Sequence, residues 1–119
     1  MANRRQHEQR ALDNEQFSRS LSSGTQYLDW AVAGLFYSAL HLVEAYLDHA
    51  HGLHMHGHRK RQKFISSNSA LKPVRREYRE LRQRCDDARY DLFPVTAKLV
   101  ADLTANEFAA VKAHITPLL

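Results

Sequence analysis

A chain of 119 residues fits one domain with a small core, and only four glycines and three prolines leave little turn chemistry for a many-stranded sheet. The single cysteine, Cys85, excludes an internal disulfide and a cysteine-based zinc site and points to a reducing compartment. The net charge of +4 is unevenly spread: Arg59 to Arg84 holds ten Lys/Arg against Glu77 and Glu80, while the remainder is acidic on balance.

The N-terminal MANRRQHEQR is polar with no apolar stretch behind it, so no secretory signal is expected. A first helix is expected over roughly Arg4 to Leu21, where His7, Ala11, Asn14, Phe17 and Leu21 recur at intervals of three and four on one face; Ser22 to Gly24 ends it. Thr25 suits the N-cap of the next helix, with Asp29 in its early turns. That helix, about Tyr27 to Ala50, is apolar nearly all round from Trp30 to Leu47, and Ala31, Ala33, Gly34 and Ala39 permit close helix approach. It is expected to be central, with Trp30 and Phe36 in the core or at a dimer interface. Because it carries His41 and Glu44, it falls short of the roughly 20 apolar residues of a bilayer span. A cytoplasmic protein without membrane contact is expected.

The histidine-rich HAHGLHMHGH breaks the helix at Gly52 and again at Gly57, and a basic helix resumes near His58. After the polar joint Ser66 to Ser69, an apolar stripe of Leu71, Val74, Tyr78, Leu81 and Cys85 runs beside a basic one of Arg75, Arg79 and Arg82, with Cys85 buried. Asp86, Asp87 and Pro94 bracket an expected irregular segment carrying Arg89 and Tyr90. A further helix is expected over Val95 to Leu103. Thr104 and Glu107 have capping-box spacing for a last one, whose buried stripe is Phe108, Val111, Ile115 and Leu118.

Three constellations carry chemistry. On the central helix Tyr37, His41, Glu44 and Asp48 recur at four, three and four residues, so they form one stripe. A histidine and a carboxylate in so apolar a helix need partners or water, which admits either a register-fixing hydrogen-bond network or a pocket with acid/base capacity. Next, His54, His58 and Arg61 bracket a helix start, where backbone N–H groups favour an anion; the alternative is a solvated polar helix start. Third, Arg89 with Tyr90 sits among Asp86, Asp87 and Asp91, suited to salt bridging, to holding a phosphate or to pairing with Glu44. His54, His56 and His58 would share a side if the loop were extended, yet the spacing matches no established structural metal site. No metal and no cofactor are expected. The basic face of Arg75, Arg76, Arg79, Arg82 and Arg84 would suit a nucleic-acid backbone or be a solvated surface.

The string FYSALHLVEA, then HMHGHRKR with H-x-x-x-H-x-x-R spacing, then ARYDL, resembles the small bacterial HEPN (higher eukaryotes and prokaryotes nucleotide-binding) domain proteins, over about His7 to Leu103. The resemblance implies an all-α, up-down bundle of four to five helices with a long central helix, one domain over residues 1–119, and a homodimer with a polar cleft at or near its interface. Many members are metal-independent ribonucleases of toxin–antitoxin, CRISPR-associated or phage-defence systems; others bind RNA or partners without catalysis. Carried over by motif, His41, Glu44 and His58 would be catalytic, and Tyr37, His54, Arg61, Arg89 and Tyr90 would bind substrate. The chain departs from the nuclease signature, an arginine followed after four to six residues by a histidine: beyond Arg89 those positions hold Pro94, Val95 and Thr96. The expected function is RNA or nucleotide binding, with divergent RNA cleavage as an extension. The alternatives are a non-catalytic dimeric module partnering a nucleotidyltransferase-like protein, and a histidine-loop metal binder.

Overall fold

The computed structural model describes residues 2–119. It is all-helical, with no strand among the described residues. Six α-helices follow in order: α1 (Arg4–Ser22), α2 (Leu28–His51), α3 (His58–Ser67), α4 (Arg75–Arg89), α5 (Ala97–Leu103) and α6 (Ala109–Ile115).

The local signals that start and stop these helices are mostly short-range. Asn3 and Gln6 form a reciprocal capping box at the head of α1, with Asn3 Oδ1 accepting from Gln6 N at 3.0 Å and Gln6 Oε1 from Asn3 N at 2.9 Å. α2 ends on Gly52, whose φ of 61° few other residues adopt and whose N–H bonds to Asp48 O; Leu53 N then reaches Leu47 O. Gly57, at φ 98°, opens α3. Thr25 does not cap α2. Tyr27 does so from a left-handed conformation, its carbonyl accepting from Trp30 N and Ala31 N, so the chain turns two residues later than a threonine cap would have it.

α2 is about 36 Å long at 1.5 Å per residue and runs nearly the whole 40 Å of the molecule. Fifteen of its residues are buried by the chain's own helices, so its apolar girth alone does not require a second subunit. By length and composition α2 could cross a bilayer, but 83% of its most apolar window lies inside this fold.

The largest helix interface is α1 against α2. Gly34 makes the close approach possible: a Cβ there would lie 3.0 Å from Asn14 O and 3.1 Å from Ser18 Cβ. Two hydroxyls fasten the pair, Ser18 Oγ to Ala31 O at 2.7 Å and Ser38 Oγ to Ala11 O at 2.6 Å. The buried residues of α1 are therefore Ala11, Glu15 and Ser18, while Phe17, expected on the packed face, is exposed. Burial of Glu15 is compensated by Arg19 at 2.8 Å and by Lys112 of α6 at 2.7 Å.

α4 buries Tyr78, Leu81, Cys85 and Ala88 against α2, continuing from Leu71 and Val74 in the preceding tight turn. It extends through Arg89, so that residue lies on a helix end and not in an irregular segment. Thr104 and Glu107 start no new helix. Thr104 Oγ1 bonds back to Val100 O at 2.7 Å, and Thr104–Phe108 forms a π-helical turn that joins α5 to α6. Phe108, Val111 and Ile115 are buried as their spacing predicts, whereas Trp30 is 43% exposed and outside the core.

Candidate functional site

The stripe Tyr37, His41, Glu44 and Asp48 on α2 does face polar partners, in two groups. Around its C-terminal half the centre is Glu44, only 4% exposed. Arg61 of α3, 6% exposed, donates from Nε to Glu44 Oε1 at 2.8 Å, and from Nη2 to Met55 O at 2.8 Å. Met55 N donates to the other Glu44 oxygen at 3.4 Å. A charge-assisted bond plus a backbone clasp thus pins the histidine loop and the start of α3 to α2. His58 stands over this pair, Nδ1 at 3.4 Å from Arg61 Nη1, its ring 5.4 Å from that of Phe36. Burial, then the neighbouring Arg61 and Arg82, lower the pKa of His58.

His41 meets His7 of α1, with the two Nδ1 atoms 3.0 Å apart and the rings stacked at 5.2 Å. One nitrogen of that pair must carry a proton and the other a lone pair. Burial, assisted by His7, Arg10 and Arg61, takes His41 down to about 4, and burial lowers His7 as well, so both rings are neutral at pH 7. The ring of His54 lies 5.9 Å from that of His7, and its Nε2 is 3.6 Å from Asp48 Oδ1; Asp48 Oδ2 accepts from Arg4 N at 2.7 Å. His56 is exposed, whereas His54 and His58 are partly buried.

The second group lies toward the other end of α2. Arg89 stacks 4.4 Å over the Trp30 ring and 5.5 Å from that of Tyr90, and donates to the Tyr37 hydroxyl at 3.4 Å. Burial raises the Tyr37 pKa. Tyr90 is exposed. Of the residues singled out by motif, the structure brings together His41, Glu44, His54, His58 and Arg61, and separately Tyr37, Arg89 and Tyr90; the partner of Glu44 is Arg61 and not Arg89.

The chain matches no family model, no curated protein and no solved structure.

Two contributors escaped the sequence reading. His7 sits 34 residues from His41 and belongs to no motif; its place on the α1 face with Ala11 is the signal that could have found it. Between α3 and α4, Gln62, Ser66, Arg75, Arg76 and Arg79 line a recess of about 300 Å³, which the basic stripe of α4 foreshadows only on one side. A larger recess, about 740 Å³ between α4 and the π-helical turn, is lined by Arg76, Glu77, Glu80, Glu107 and smaller residues and holds none of the residues carried over by motif.

Proposed function

We propose that this chain is a HEPN-like protein that binds RNA or a nucleotide through phosphate on the basic side of α3 and α4. The observation that carries the proposal is the recess lined by Arg75, Arg76, Arg79, Gln62 and Ser66. No carboxylate lines it, whereas on the same helix Arg82 and Arg84 have acidic partners in Asp86 and Glu80. Arginines lining one recess without a carboxylate are suited to phosphate oxygens. Arg61 is committed to Glu44 and Met55, Arg89 lies on Trp30, and neither lines this recess.

Two arginine-to-alanine changes, at Arg75 and Arg79, are expected to weaken binding of a single-stranded RNA and to lower the slope of log affinity against log salt by about one to two. Fluorescence anisotropy at several salt concentrations measures both. An unchanged salt slope would overturn the reading. In a cleavage step the imidazole of His58, one helical turn before Gln62, would take the proton of a ribose 2′-hydroxyl as that oxygen bonds to the adjacent phosphorus and the P–O5′ bond breaks, the departing 5′-oxygen taking its proton from water. His58→Ala would then abolish cleavage and leave binding within about tenfold.

A second reading rests on a different surface. Tyr27, Trp30, Tyr90, Leu92 and Phe93 are all exposed where the α1–α2 and α4–α5 connections meet, and Tyr27 and Leu92 are the two non-glycine residues with left-handed backbone among the described residues. An exposed apolar patch that includes two residues held in left-handed backbone suits a protein interface, and we propose a homodimer through this patch. Light scattering should give twice the chain mass, and Trp30→Glu with Phe93→Glu should give a monomer. A parent that is monomeric at micromolar concentration would defeat the dimer and leave the patch to another protein, such as a nucleotidyltransferase-like partner.

A further inference from the structure

We propose that His7, Glu44 and His54 form a binding site for one divalent transition-metal ion of the zinc class. This inference is independent of the RNA reading and uses different residues from the basic recess.

The three side chains come from α1, α2 and the loop before α3, yet one ligand atom from each lies within 4.8 Å of the others. Two imidazoles and one carboxylate are the donor set that zinc and its neighbours take, and three protein ligands leave a fourth position for water. Zinc in such a site sits about 2.0–2.1 Å from its ligands, so binding draws the three atoms inward by roughly an ångström. His54 rides on a loop and can move to meet the other two.

A second observation points to a ligand. His7 Nε2 is buried and has no hydrogen-bond partner among the described residues. Its Nδ1 faces His41 Nδ1 at 3.0 Å. When His7 donates from Nδ1 to His41, the buried Nε2 holds a lone pair with nothing to accept from, the tautomer that a metal-ligating histidine takes.

Two of the proposed ligands also have an outer partner that orients them. His41 holds His7, and Arg61 with Met55 N holds Glu44, while Asp48 Oδ1 stands 3.6 Å from His54 Nε2. Such outer partners set ring orientation and tautomer in metal sites. The buried Glu44–Arg61 pair leaves the carboxylate lone pairs with which to bind an ion, because each oxygen accepts one bond from the chain.

The test uses the full chain, purified without a metal column and stripped with chelator, then titrated with zinc by calorimetry and with cobalt by visible absorption. One zinc per chain, a higher melting temperature with zinc and ligand-field bands with cobalt are expected. His7→Ala and His54→Ala should each weaken zinc binding by about 100-fold or more, since even an outer-partner change costs up to that; His56→Ala should stay within about threefold. Circular dichroism establishes that each variant is folded, and His54→Ala, on a loop, keeps the test open if His7→Ala is not. The absence of stoichiometric binding, unaltered binding by both folded variants, or a loss in His56→Ala as large as in His7→Ala would overturn the site and assign any metal to the surface histidines.

Discussion

Glu44→Ala or Arg61→Ala alone is expected to destabilise the fold by about 3–5 kcal/mol, the cost of leaving one member of a buried ion pair without its partner. The two side chains are 2.8 Å apart and almost wholly buried. Without Arg61, the Glu44 carboxylate keeps only the long 3.4 Å bond from Met55 N; without Glu44, the guanidinium keeps Met55 O and the edge of His58. The coupling is also structural, because Arg61 is the clasp that holds the loop from Gly52 to Gly57 against α2. Replacing both at once, Glu44→Leu with Arg61→Met, should recover much of the loss, since an apolar pair of similar volume removes both desolvated charges. Urea unfolding of the two single variants and the double variant measures this. Single variants within about 1 kcal/mol of the parent would mean that water reaches the pair.

Phe36→Ala is expected to cost about 3–5 kcal/mol, whereas Trp30→Ala should cost about 1 kcal/mol. Phe36 is 1% exposed and touches the rings of Tyr37, His58 and Tyr78, at centroid distances of 5.4, 5.4 and 5.6 Å. Its removal opens a cavity where α2, α3 and α4 meet. Trp30, although larger, lies at the rim, where its loss removes chiefly the stacking of Arg89. Thermal unfolding of both variants under the same conditions is the measurement. Equal losses would put Trp30 in the core, as its sequence context alone suggests.

That contrast shows which part of the molecule was legible before any coordinates. The extents of α1 and α2, the breaks at Gly52 and Gly57, and the buried stripes Tyr78–Leu81–Cys85 and Phe108–Val111–Ile115 follow from forces acting within four residues, namely backbone hydrogen bonding, left-handed glycines and helical periodicity. The same local signals failed where two of them competed. Thr25 and the Thr104–Glu107 spacing are adequate caps in isolation, but Tyr27 turns the chain into α2, and Thr104 bonds backward to Val100 so that α5 runs on into α6.

The candidate site divides in the same way. That His41 and Glu44 need polar partners was legible, because buried polar groups on an apolar helix must find them. Which partner each finds was not. Glu44 takes Arg61 and leaves Arg89 to Trp30 and Tyr37, His7 joins His41 across the α1–α2 contact, and Arg75 and Arg79 acquire Gln62 and Ser66 as neighbours. The His7–His41 pairing depends on how closely α1 approaches α2, which Gly34 permits by leaving room for the backbone of α1. Sequence alone determined most of the helices and most of their buried stripes, since those signals are local; tertiary packing decided the pairings, since they act through space between residues well apart in the chain, 17 positions for Glu44 and Arg61 and 52 for Tyr37 and Arg89.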